Sequence, residues 1–170
     1  VLIAALVVAA LWFPGAIVRH AARVIPDAKR AEIGASLFTQ IRKSAGSPCG
    51  GVRGNDALAA LDQRLRGIGA GIVRVMPQGL AEPVHLPGGT ILLGRAAVED
   101  VEEVEATAGY ILAEDARATM IDPMRALLDW AGPGVAFTLL TSGNVPPDRL
   151  AAYGEAMLTR APAAAGSIPR

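Results

Sequence analysis

The sequence has little of what builds disulfide frameworks, nucleic-acid surfaces or metal sites. Its single cysteine, Cys49, excludes an internal disulfide; a lone cysteine is usually an inert small residue, with pairing to another chain or lipidation as the alternatives. Aromatic residues make up 4% of the chain, and 16 Lys and Arg balance 16 Asp and Glu. No basic stripe alternates with aromatics, so we expect no nucleic-acid partner. The only histidines are His20 and His85.

Apolar residues, in contrast, make up 52% of the chain, and they are concentrated at its beginning. Val1–Val18 carries no charge, and Arg19 and Arg23 follow directly. A run of this length is close to the shortest helix that spans about 30 Å of hydrocarbon. We therefore predict a transmembrane anchor over residues 1–18 that contacts the lipid bilayer, followed by a domain over residues 19–160 and a flexible tail over residues 161–170.

Two other interpretations of this apolar segment stay open. A secretory signal peptide would need a small-x-small cleavage site, and no convincing one follows. A buried core helix that is apolar on every side would need a larger protein around it. The chain begins at Val1 rather than at methionine, so we expect that some N-terminal sequence precedes it.

The rest of the chain has the apolar spacing of short helices with a few strands. Helical periodicity and the turn residues between periodic segments predict helices at residues 28–44, 56–66, 124–130 and 147–158, and helical structure from Ala96 onward with a long helix over residues 106–120. Two short β-type runs, at residues 72–76 and 91–93, are joined by a loop and predict a small antiparallel sheet. The predicted fold class is therefore α+β and dominated by helices.

A cluster of five carboxylates lies between Val98 and Glu105: Glu99, Asp100, Glu102, Glu103 and Glu105. Such a run usually marks the solvated start of a helix, where negative charge suits the helix dipole. A cation site is the alternative interpretation, but too many of these side chains would face away from a common point.

Three segments in a fixed order resemble one family. Leu86–Ile91 reads LPGGTI, Ala108–Arg117 reads AGYILAEDAR, and Asp122–Arg125 reads DPMR. This pattern is similar to membrane-associated zinc metallopeptidases of the HtpX, Oma and BepA type. Those proteins have an LPGG-x-I strand, a helix reading AGVLAHExxH and, in some bacterial members, an RDP-x-R continuation. The resemblance covers roughly Ile25–Leu158 and implies a partial zincin-like metallopeptidase domain.

The family's zinc site needs two histidines four residues apart on one helix face, a neighbouring glutamate as general base, and an acidic third ligand from a later helix. Carried over residue by residue, the first histidine falls on Ala113, the glutamate on Glu114 and the second histidine on Arg117. Alanine has no donor atom, and a protonated arginine repels a dication. We therefore expect no metal and no cofactor, with Glu114 as a vestige of the catalytic site.

Two interpretations of these charges stay open. Glu114 and Arg117 are either an ordinary solvated i,i+3 pair or a pair that fills the space of the lost zinc. His85, on a strand, does not replace a pair of histidines on a helix. The segment Glu82–His85 also departs from the Asn-Ala-Phe-Ala that the family usually has before LPGG, which weakens the expectation of peptide binding.

The resemblance implies a non-catalytic pseudopeptidase that serves as a membrane-anchored accessory, scaffold or assembly subunit of a membrane protein complex. Val135–Leu140 and the anchor are the expected contact surfaces. We expect a single-pass protein of a bacterial inner membrane with its soluble part in the periplasm, although the positive-inside rule alone would place Arg19 and Arg23 in the cytoplasm. An active zinc endopeptidase with non-standard ligands and a peptide-binding chaperone are the alternatives.

Overall fold

The structure is a computed structural model that describes residues 14–159. The helices are α1 (residues 14–24), α2 (Asp27–Ala45), α3 (Val52–Arg66), α4 (Ala96–Glu99), α5 (Val104–Met120), α6 (Pro123–Ala131), α7 (Pro133–Ser142) and α8 (Pro147–Leu158). The strands are β1 (Val73–Met76), β2 (Val84–His85) and β3 (Ile91–Gly94). The fold is dominated by helices, as predicted.

The sheet is mixed, so the predicted antiparallel sheet is wrong. The strand order is β1-β3-β2. β3 pairs in parallel with β1, with Val73 opposite Ile91, and pairs antiparallel with β2. After β1 the chain crosses to the far edge, forms β2 there and returns through a tight turn into the central strand. The two-residue β2 is too short to give a periodic signal, and its position reverses the direction of β3 relative to β1.

The expected transmembrane helix is contradicted. Between residues 14 and 159, no helix is both long enough and apolar enough to cross a bilayer. This finding also contradicts the predicted localisation as a single-pass protein of an inner membrane. The helical residues 14–24 turn Val18, Ala21 and Ala22 into the protein core, where each is at most 3% exposed. Residues 1–13 of the predicted anchor, and the predicted tail from residue 161, lie outside the described residues.

Two apolar clusters cover the two faces of the sheet. Leu92 belongs to the larger cluster, which joins the sheet to α1, α2, α6, α7 and α8. Its strand neighbours Ile91 and Leu93 belong to the second cluster, with Leu58 of α3 and Ile111 of α5. Successive side chains of a strand point to opposite faces, so β3 is buried on both sides. This explains why its four residues are all buried.

The turn Leu86–Thr90 is held by close packing. The Leu86 amide donates to the Thr90 carbonyl, with 2.8 Å between N and O. A Cβ on Gly88 would lie 2.3 Å from the Cα of Ala31 on α2, and Gly88 has φ +82°. A Cβ on Gly34 of α2 would lie 1.9 Å from the Pro87 carbonyl oxygen. The backbones of α2 and the turn are in contact and leave no space for a methyl group, which explains why both positions are glycine.

Asp122 begins α6, which confirms the predicted helix break at Asp122-Pro123. Its carboxylate accepts the Met124 amide at 2.9 Å, and Pro123 occupies the first helical turn. Arg30 of α2 binds both oxygens of the same carboxylate, at 2.8 and 2.9 Å. This arginine also donates to the carbonyls of Ala22 and Ile25. The Asp-Pro element therefore ties α6 to α2 and to the end of α1.

Candidate functional site

The motif helix α5 lies against the sheet, with its central turn at the edge strand β2. Ile111 faces the second apolar cluster and is fully buried. Glu114, three residues later on the same face, is 4% exposed, whereas Ala113 is exposed to solvent. The helix thus turns the position of the family's general base inward and leaves the position of its first histidine ligand on the surface.

Arg117 lies one turn after Glu114, and its guanidinium forms an ion pair with the Glu114 carboxylate. The Arg117 side chain is 54% exposed and that of Glu114 is 5% exposed. The exposed guanidinium of Arg117 thus neutralises a carboxylate that is buried beneath it. The structure brings together the two residues that the sequence singled out, and the burial of the Glu114 carboxylate shows that they are not an ordinary solvated pair.

His85 is the site residue whose importance the sequence interpretation missed. It lies on β2 beside α5, and its buried Nδ1 has no hydrogen-bond partner among the described residues. The pKa of His85 is lowered from its ordinary value of 6.5, mainly because the ring is buried. A hydrogen bond to the Glu114 backbone opposes this shift, the positive charge of Arg66 adds to it, and the negative charge of Asp115 opposes it. The one signal in the sequence that could have placed His85 near Glu114 was its position directly before LPGG, the segment that leads into the strand beside the motif helix.

A cavity of about 130 Å³ connects these groups. It opens between β2, α5, the start of α6 and α8, and it is lined by Pro83, Val84, His85, Glu114, Arg117, Ala118, Ile121, Pro123, Ala126, Tyr153 and Met157. Tyr153 of α8 also packs against Trp130, with 5.2 Å between the ring centroids. The cavity is smaller than the roughly 300–1,000 Å³ of typical small-molecule sites. It is a narrow cleft with mixed polar and apolar walls.

These residues do not fit the zinc ion that the resemblance implies. Ala113 offers no donor atom, and Arg117 brings a permanent positive charge to the second ligand position. His85 and Glu114 remain as donors near the cavity. Within residues 14–159, no group of three or more His, Cys, Asp or Glu side chains is arranged to hold an ion. Tetrahedral zinc needs at least three such protein ligands, so we derive no metal chemistry at this site.

A buried polar network also connects the motif helix α5 to α3 and to the glycine turn. Arg66 at the end of α3 has a side chain that is 1% exposed, and it binds both carboxylate oxygens of Asp62, at 2.5 and 3.0 Å. The same guanidinium donates to the Gly89 carbonyl at 3.2 Å and lies 3.6 Å from Asp115. One side chain therefore links α3, the glycine turn and α5.

The other residues marked by the sequence lie away from the cleft. Cys49 is a partly buried free thiol whose amide donates to the Val75 carbonyl of β1. Of the apolar run Val135–Leu140, part is core and part is surface: Val135 is 8% exposed, whereas Phe137 is 59% and Leu140 is 39% exposed. The predicted contact surface is therefore reduced to the outer face of α7.

Neither a protein-family model nor a curated protein sequence gives a match to this chain.

Proposed function

We propose that this chain is a non-catalytic pseudopeptidase that acts as an accessory, scaffold or assembly subunit of a protein complex. The observation that carries the proposal is the ion pair between Glu114 and Arg117 at the mouth of the cleft. In a working metallopeptidase the glutamate takes a proton from a zinc-bound water, so it must face the metal. Here the glutamate is buried and faces an arginine.

The ion pair keeps the site folded without a metal. A buried carboxylate that lacks a partner costs several kcal/mol, so removal of the zinc ligands would leave Glu114 as a liability. Arg117 supplies the compensating positive charge at the position where the resemblance would put a histidine. In this proposal the domain keeps the cleft and the helices around it without a metal-bound water for Glu114 to deprotonate.

The outer face of α7 is the surface that suits a scaffold. Phe137 and Leu140 are three residues apart, so they lie on the same side of the helix and both are exposed. Val135, Ala136 and Leu139 anchor the opposite side of α7 in the core. Exposed aromatic and aliphatic side chains that are held on a rigid element are typical of protein contact sites.

Metal analysis of the purified full chain tests the loss of chemistry. We expect substoichiometric zinc in the natural sequence. The double variant Ala113→His/Arg117→His should gain measurable zinc affinity, because two imidazoles four residues apart on a helix reach one ion. Arg117→Ala is the matched control: it removes the repelling charge without adding a ligand, and it should bind no zinc.

The opposite result would support an active endopeptidase with unusual ligands. Stoichiometric zinc in the natural sequence, together with peptide cleavage that Glu114→Gln abolishes, would overturn the proposal. The scaffold role is tested separately, by gentle purification and mass spectrometry of co-purifying proteins. We expect Phe137→Ser/Leu140→Ser to lose a stable partner, and Tyr110→Ser/Leu112→Ser, an equally exposed apolar pair on α5, to keep it.

One observation favours a second candidate, a peptide-binding chaperone. β2 lies at the edge of the sheet, and the same residues line the cleft. An extended peptide can add to such an edge by backbone hydrogen bonds. Leu86 and Ile91–Leu93 are fully buried, so crosslinks to unfolded peptides are expected at Val84 or Pro83 rather than there. Efficient crosslinking at Val84 without cleavage would favour this candidate over the scaffold.

A further inference from the structure

A second depression lies on the other side of the sheet, between α3 and the chain that joins β3 to α5. We call it the α3–α5 groove. Gly54, Leu58 and Leu61 form its α3 wall, and Val98, Val101 and Val104 form the opposite wall. A cavity of about 350 Å³ fills its main part, and a neighbouring cavity of about 160 Å³ extends it toward Cys49. The two share Gly54, Leu58 and Val98, so the apolar surface is continuous.

The groove exists because the chain between β3 and α5 is not one helix. Helical structure was predicted from Ala96 onward, with a long helix over residues 106–120; in the structure α4 ends at Glu99 and α5 begins at Val104. The Thr107 hydroxyl donates to the Ala97 carbonyl at 3.0 Å and holds the two helices together. The segment between them leaves Leu58 and the partly buried Leu61 and Val98 of the second cluster open to one side. Gly54 adds no side chain to the wall and has free space around it.

The rim of the groove is acidic. Glu99, Glu102 and Glu103 line it directly, and Asp100 and Glu105 are adjacent and exposed. Glu99 pairs with Arg95, while the other four carboxylates form no ion pair within residues 14–159. The chain as a whole has no net charge, so this concentration of negative charge is local. Glu103 is the N-cap residue of α5 and Glu105 lies in its first turn, which confirms the interpretation of the cluster as a solvated helix start.

We propose that the α3–α5 groove binds an amphipathic helix of a partner protein, with an apolar stripe bordered by Lys and Arg. The apolar walls bind the stripe and supply most of the affinity. The carboxylates attract the Lys and Arg side chains at the border and fix the orientation of the helix. A peptide strand fits less well, since the groove is walled by helices and by the 100–103 segment. The proposal concerns a different face from the cleft and is independent of whether zinc binds there.

The test uses the full chain and a designed probe, a peptide of about 18 residues that carries Leu at helical i, i+3, i+4 and i+7 spacing and Lys elsewhere. Binding is measured by fluorescence anisotropy. A peptide of the same composition in scrambled order controls for the apolar stripe, and a peptide with Glu in place of Lys controls for charge. We expect the first peptide to bind and both controls to bind at least about tenfold more weakly.

Variants locate the binding on the chain. Gly54→Leu fills the groove and should weaken binding by about tenfold or more, and Glu102→Lys/Glu103→Lys should do the same through charge. Asp148→Lys/Glu155→Lys, on exposed α8 positions outside the groove, makes the same change in net charge and should leave binding within about twofold. Circular dichroism checks that each variant is folded.

The sole cysteine provides a second readout. Cys49 lines the extension of the groove, so saturation with the peptide should slow its alkylation by iodoacetamide. The proposal is overturned if binding is absent, if Gly54→Leu leaves it unchanged, or if the scrambled peptide binds equally well. It is also overturned by self-association of the chain that Gly54→Leu abolishes, since the groove would then hold a second copy.

Discussion

The glycine turn at Leu86–Thr90 and the cleft beside α5 differ in how tightly their residues are packed. In the turn, Gly88 touches the backbone of α2 and Gly89 touches the loop before β1, so close packing excludes a side chain at both positions. In the cleft, Ala113 is exposed and Arg117 is half exposed, so neither is fixed by packing. Substitution at the turn glycines therefore disturbs the packing, whereas Ala113 and Arg117 are not constrained by packing in this way.

The largest expected effect concerns the arginine that holds the frame. Arg66→Met should lower the free energy of unfolding by about 3–5 kcal/mol, because Asp62 would be left buried without its counter-charge. The variant also removes the hydrogen bond to the Gly89 carbonyl at the turn. Urea denaturation followed by circular dichroism measures the change.

The matched control is another Arg–Asp pair at i,i+4 spacing. Arg125 and Asp129 of α6 lie 3.3 Å apart, with side chains that are 50% and 54% exposed. Arg125→Met should change the free energy of unfolding by less than about 0.5 kcal/mol, as is usual for exposed pairs. Equal losses in the two variants would mean that burial of the Asp62–Arg66 pair does not decide its contribution.

The next effect concerns the contact between α2 and the turn. Gly34→Ala should lower the free energy of unfolding by about 1–3 kcal/mol, since the new methyl group forces α2 away from the Pro87 carbonyl. Gly109→Ala is the matched control in another helix, because a Cβ there meets nothing within 4 Å. That control should raise the free energy of unfolding by about 0.5–1 kcal/mol through helix propensity. Thermal and urea unfolding measure both variants. An unchanged free energy of unfolding in Gly34→Ala would contradict the close packing of α2 against the turn.

The smallest expected effect lies in the cleft and depends on pH. Burial lowers the pKa of His85 below the ordinary value of 6.5, so the unfolded chain takes up a proton at a higher pH than the folded chain does. The contribution of His85 to stability is therefore complete above about pH 6.5 and is lost as the pH falls below it, by at most about 1.4 kcal/mol for each pH unit. Glu114, Arg117, Arg66 and Asp115 are the charged groups around it.

Comparison of variants isolates this contribution from the carboxylates that titrate at lower pH. The difference in unfolding free energy between about pH 7.5 and pH 5.5 should be smaller in His85→Asn than in the natural sequence. His20→Asn changes the exposed histidine of α1 and should leave the difference unchanged. An identical pH dependence in all three proteins would show that His85 is equally easy to protonate in the folded and unfolded chains.

Much of the frame follows from local sequence. The helix break at Asp122-Pro123 and the helix that carries Glu114 were predicted, since capping residues and helical spacing act within a few residues. The direction of β3 and the break between α4 and α5 were not predicted. The direction of β3 depends on where β2 adds to the sheet, and the break is held by the hydrogen bond from Thr107 to Ala97, ten residues away; neither contact is encoded in the helical or strand period.

The sequence by itself determined that positions 113 and 117 hold a methyl group and a guanidinium, because the chemistry of a side chain does not depend on its surroundings. Tertiary structure alone decided which charges are buried and which face water. The Asp62–Arg66 pair and the Arg125–Asp129 pair have the same i,i+4 spacing, yet only the first is enclosed by other elements. Burial is a property of what packs against a helix, and helical spacing carries no information about that.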